Sequence, residues 1–204
     1  MAANVDALLP LSFLEAVRTV DTPEGDFETE YVPELRNKRL GLSDTVYAQI
    51  KRYTDAVKRQ QRTPIDEAVA LARLIGRRPD AEAVFRSAGR YLAKEAYLTI
   101  SGTRRKLMRA MPSLLARPVA LRQARRIAQR YMNGTVSRVG GSLLLEVPVS
   151  VTADSGPRDA GCAYYEAALR ELVRLLVGTS GAVEHVRCVN RGEGTCQWRA
   201  DWRT

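Results

Sequence analysis

All three cysteines of this chain and its only histidine fall within the last 43 of 204 residues. They are Cys162, His185, Cys188 and Cys196, at offsets of 23, 26 and 34 from the first. Three thiolates and one imidazole complete a tetrahedral shell, the usual closed form of a structural zinc site. A closed shell leaves no position for a catalytic water. If the four share one ion, the fold must bring together a helix start, two points of one strand and the start of another. The plain alternative is that the cysteines are small buried hydrophobes and the histidine is incidental. The spacing lacks the paired CxxC knuckles of the standard fingers.

The periodicity of the chain changes at Asn133-Gly134. Before that point apolar residues recur at helical spacing. Leu11 to Val20 suits a short helix, and an irregular stretch comes after it. Residues 1–42 therefore read as an N-terminal extension and 43–204 as the main domain. Ser43-Asp44 caps a helix expected over 43–62, with Val46, Ile50, Tyr53 and Val57 on one side. Thr63-Pro64 reads as the cap and first residue of the next helix, which stops at Gly76. A third helix opens at Pro79 and carries Gly89 in its interior, where glycine costs about 1 kcal/mol against alanine. Close approach of another backbone would explain it. A basic helix over 103–111 and a further helix with Pro118 in its first turn complete this half.

After the break, 134–139 and 142–151 read as strands joined by a Gly140-Gly141 hairpin turn. Cys162 to Val177 is an amphipathic helix ended by Gly178. A second hairpin, 182–189 and 196–203, closes the chain. Its last strand puts Cys196, Trp198, Ala200 and Trp202 on one face. The fold class is α+β: N-terminal helices packed on a four-stranded antiparallel sheet, made of two hairpins flanking an amphipathic helix. His185 and Cys188 differ by three, which on a regular strand sends them to opposite faces. The strand must end or bend near Arg187 for both to reach one ion.

Charge is distributed unevenly. The net charge is +9, yet no acidic residue occurs between Ala96 and Leu145, where ten lysines and arginines lie. Arg122, Arg125, Arg126 and Arg130 form a helical stripe, a candidate surface for an anionic partner or nucleic acid. A solvated basic face is the simpler explanation. Arginine without interleaved aromatics suggests phosphate contact over base reading. No run of eighteen apolar residues is present, so no membrane span is expected. The N-terminus does not read as a secretion signal, and a cytoplasmic location is expected.

The runs Cys162-Ala-Tyr-Tyr-Glu-Ala-Ala-Leu, Glu184-His185-Val-Arg-Cys188 and Gly192-Glu-Gly-Thr-Cys196-Gln-Trp198 resemble the 4-vinyl reductase domain family. Its superfamily includes TRAPP tethering subunits and the aromatic-sensing domains of phenol-responsive activators. The resemblance implies zinc on Cys162, His185, Cys188 and Cys196, with His185 in place of the sensors' carboxylate. It also implies a homodimer and a small-molecule pocket between helices and sheet. Met111, Leu114, Leu115, Tyr165 and Val183 are the candidate lining residues. The homodimer is expected on the Val46, Ile50, Tyr53 and Val57 face. The resemblance thus implies a non-enzymatic sensor or carrier for an apolar, aromatic or tetrapyrrole-like ligand, with no catalytic residues assigned. A tetrapyrrole vinyl reductase-type enzyme is the alternative that the family name suggests. No GxGxxG motif comes after a strand to hold a hydride donor.

Overall fold

The computed structural model describes residues 3–22, 40–110, 113–178 and 181–202. Seven α-helices and six strands occur among them. In chain order they are β1 (Asn4–Asp6), α1 (Leu8–Asp21), α2 (Asp44–Lys58), β2 (Arg62–Pro64), α3 (Ile65–Gly76), α4 (Ala81–Leu98), α5 (Gly102–Ala110), α6 (Ser113–Tyr131), β3 (Thr135–Val139), β4 (Ser142–Val147), α7 (Cys162–Val177), β5 (Val183–Arg187) and β6 (Cys196–Asp201). The α+β class holds, with a four-stranded antiparallel sheet in the order β3-β4-β6-β5.

The sheet turns one face to the helices. Leu143, Leu145 and Val147 of β4 are buried, as are Cys196, Trp198 and Ala200 of β6. This is the period-two alternation expected of the last strand. β4 stops at Val147, short of the expected 151, because Pro148 offers no N–H to the ladder. Against the sheet lies α7, and against α7 lies α4. The two helices meet at Gly89, where an added Cβ would stand 2.1 Å from the Tyr164 carbonyl oxygen. That is the close backbone approach that an interior helical glycine suggests. Gly89→Ala should therefore destabilise the fold by about 2 kcal/mol or more in urea denaturation, overpacking outweighing a helix-propensity gain of about 1 kcal/mol. A more stable variant would contradict this packing.

The described part of the N-terminal region is not peripheral. α1 is a core helix, with eleven of its 14 residues buried. It packs on α4 with Phe13 between Phe85 (centroids 6.0 Å apart) and Tyr164 (5.0 Å). Tyr164 Oη and Ser12 Oγ share a hydrogen bond at 3.2 Å. Ahead of it, β1 pairs antiparallel with β2. The boundary at 42 is thus corrected for residues 4–21, whose apolar run LLPLSFLEAV has nowhere to go but the interior. The irregular chain expected beyond Asp21 lies mostly in 23–39, outside the described residues. Asp21 joins the two flanks of that stretch. Its carboxylate accepts from Gly41 N–H (2.8 Å) and from both terminal nitrogens of Arg78 (2.6 and 3.0 Å).

Three helix boundaries differ from the sequence reading. α2 ends at Lys58, since Gln60 has a positive φ of 55°. Thr63-Pro64 does not cap α3; it is part of the strand β2, and Thr63 makes no capping bond. Proline's missing N–H is harmless on that edge. Pro118 lies inside α6, which starts at Ser113. By contrast, Ser43 caps α2 as expected, accepting from Val46 N–H at 3.3 Å.

Val46, Ile50 and Tyr53 are buried within the chain itself, on a helix that packs against α1. Three of the four residues of the expected dimer patch are thus already covered, and Val57 is half-buried. Among the described residues no helix is long and apolar enough to cross a membrane.

Candidate metal centre

The loop before α7 places the first cysteine. Gly161 packs so tightly that an added Cβ would lie 2.1 Å from the Thr152 carbonyl oxygen. Only glycine fits there, and the next residue, Cys162, then begins the helix with its thiol buried. On the facing hairpin, β5 carries a bulge. His185 pairs with Trp198 and Arg187 with Gln197, so three residues of β5 face two of β6. The extra residue reverses the alternation. His185 and Cys188 then address the same site, the bend that one shared ion requires.

The ligand atoms of Cys162, His185 and Cys188 all lie within 4.8 Å of one another. Cys162 Sγ and Cys188 Sγ are 3.8 Å apart. A tetrahedron with zinc–sulfur bonds of about 2.3 Å has edges of about 3.8 Å. The three thiols are free, so no disulfide competes. His185 stacks on Trp198 (centroids 4.8 Å, planes 7° apart), which fixes its ring. Its Nε2 is buried without a hydrogen-bond partner, as a nitrogen kept for a metal would be. This group can hold a metal ion.

Cys196, the fourth expected ligand, is not in the group of three whose ligand atoms lie within 4.8 Å of one another, though it adjoins them. The neighbouring Cys162 thiol pulls the Cys196 pKa well below the ordinary thiol range. Burial opposes that shift, while His185 and the Val189 N–H add to it. Val189 N stands 3.4 Å from Cys196 Sγ. Cys196, then burial and Cys188, push Cys162 upward. The crowded sulfurs thus favour negative charge on Cys196 over Cys162. Positive charge from a metal would relieve the crowding.

Residues that sequence reasoning missed hold the loop between Cys188 and Cys196. Glu193 accepts from Cys188 N–H at 2.6 Å and pairs with Arg191 at 3.3 Å. Asn190 donates to Asp159 at 2.9 Å, tying this loop to the one before Cys162. Polar residues in a turn carry no sequence signal for such contacts. The aromatic support was equally hidden. Tyr165 lies between Tyr164 and Trp198, at 5.0 Å from each ring. Rings therefore touch in series from Phe85 through Phe13, Tyr164, Tyr165 and Trp198 to His185.

Two of the five expected pocket residues have described side chains. Tyr165 is fully buried in this aromatic series, and Val183 is buried on β5. Met111 and the side chains of Leu114 and Leu115 lie outside the described residues. The arginine stripe is exposed but not uniform. Arg125 donates to the Val136 carbonyl at 3.1 Å. Arg130 stands 3.4 Å from Asp6, whose carboxylate also accepts from Leu8 N–H at the start of α1. Arg122→Gln should change stability by under about 0.5 kcal/mol. Arg130→Gln should lose about 1 kcal/mol by thermal or urea unfolding, because buried Asp6 forfeits a partner. Equal effects would mean that the Asp6 pair contributes nothing.

Comparison with protein-family models, with curated proteins and with solved structures gave no match.

Proposed function

We propose that the chain is a non-enzymatic binding domain, a sensor or carrier, folded around one structural zinc held by Cys162, His185, Cys188 and Cys196. The 3.8 Å separation of the Cys162 and Cys188 sulfurs carries this reading, since it equals the edge of a zinc–thiolate tetrahedron. Sulfur-rich donors with one imidazole select zinc among the abundant divalent ions. Protein ligands at all four corners leave no open coordination position, so the metal braces the fold and does not activate water. The resemblance to 4-vinyl reductase domains supports the same assignment and adds a small apolar ligand and a homodimer. That dimer would use a face other than Val46, Ile50 and Tyr53, which α1 occupies.

A native mass spectrum of the purified chain tests these points together. One zinc per chain is expected, along with any retained ligand and the oligomer mass. Cobalt(II) exchanged into the site should show thiolate charge-transfer absorption, and Cys196→Ser should weaken it. A cobalt spectrum unchanged in Cys196→Ser would remove the fourth ligand.

A further inference from the structure

A second site lies on other elements. Between the end of α4, the start of α5 and the C-terminal half of α6 is a cleft of about 440 Å³. That is within the range of about 300–1,000 Å³ usual for small-ligand pockets. We propose that this cleft binds a small organic phosphate, a phosphate monoester with an apolar body.

Charge is the first argument. Arg104, Arg126 and Arg130 line the cleft, and no carboxylate is among its lining residues. Among the described residues, Arg104 and Arg126 have no acidic partner, and Arg130 has only Asp6, at 3.4 Å. Guanidinium groups recognise phosphate through paired N–H donors. Ser101 also lines the cleft, and its carbonyl accepts from Arg105 N–H at 3.0 Å to open α5. The free N–H groups of that first turn add positive potential beside the arginines.

The second argument is Gln123. It lines the cleft, is only 8% exposed, and makes no hydrogen bond among the described residues. Its amide opens on the cleft, and a ligand there would pair with it. Apolar surface sets the rest of the ligand. Ile100, Ile127 and Tyr131 share the lining, so the cleft accepts more than a bare ion. Arg122 and Arg125, on the same helix, are not in the lining. The convergence of arginines from α5 and α6 on one hollow favours a compact ligand over a polymer laid along the stripe. No residue of the metal centre takes part, so failure here would leave the zinc reading intact.

The test uses the full zinc-bound chain and phenyl phosphate as the probe. Calorimetric titration should give a saturable isotherm at least about tenfold tighter than phenol or inorganic phosphate alone. Phenyl phosphate should raise the melting temperature of the unaltered protein above its value in phenol at equal ionic strength. Arg126→Gln and Gln123→Leu should each weaken binding by about tenfold, while Arg122→Gln changes it by less than about twofold. Three results would overturn the proposal. One is binding no tighter than phenol. Another is an equal loss in Arg122→Gln, which marks a diffuse charge effect. The last is a single-stranded oligonucleotide that binds far more tightly with a steep salt dependence, which assigns the segment to nucleic acid.

Discussion

Cys188→Ala is expected to abolish metal binding and leave the chain largely unfolded at room temperature. Structural zinc contributes apparent binding free energies of about 10–16 kcal/mol in small domains. The whole stability of a domain is about 5–15 kcal/mol. Cys188 is fully buried, and its backbone N–H and carbonyl organise the loop to Cys196. Loss of its sulfur should remove the proposed ion and leave buried Cys162 and half-buried His185 beside a void. A chelator should give the same result in the parent protein. Acid should also release the metal, because thiolates must be deprotonated to bind and regain protons as pH falls. Circular dichroism with metal analysis checks all three. A metal-free chain with native melting behaviour would defeat the zinc assignment.

Phe13→Ala should destabilise the protein by about 3–5 kcal/mol, the usual loss for a large aromatic in a packed core. Phe13 has no exposed surface and touches rings from α4 and α7. Deleting residues 1–22 should have a still larger effect, since it strips the apolar cover from α2 and α4. The deletion variant should then be insoluble or molten. If it folded and melted like the parent, the N-terminal region would be an appendage after all, and α1 would not belong to the core. Urea unfolding of Phe13→Ala provides the graded measurement. The midpoint should fall with little change in slope.

Much of the local structure was legible because its cause is local. Ser43 could be read as a cap, Gly178 as a helix stop and Gly140-Gly141 as a hairpin turn from residue type alone. The alternation Cys196, Trp198, Ala200 revealed the buried face of β6 by period two. Gly89 announced a close neighbour through its cost to the helix. The errors share a different cause. Thr63-Pro64 has the form of a helix start, but β1 lies 58 residues away in sequence and claims it as a strand partner. Pro118 suits a first turn, yet α6 begins earlier. α1 looked expendable because no short-range rule states what will cover it.

The candidate site divides in the same way. Residue types and clustering alone singled out Cys162, His185, Cys188 and Cys196, and the sequence difference of three predicted a distorted strand. Only the tertiary structure decided how that distortion is made, by one extra residue opposite β6. It also decided that Glu193 and Asn190 hold the loop and that Trp198 orients the imidazole. The cleft at Arg104, Gln123, Arg126 and Arg130 needed the fold as well, since sequence showed a stripe along one helix where space has a hollow shared by two. Periodicity, capping and ligand chemistry are properties of neighbouring residues, so the chain carries them openly. Which surfaces meet, and which charges are left facing an open cleft, depends on contacts between distant segments that compete for the same interior.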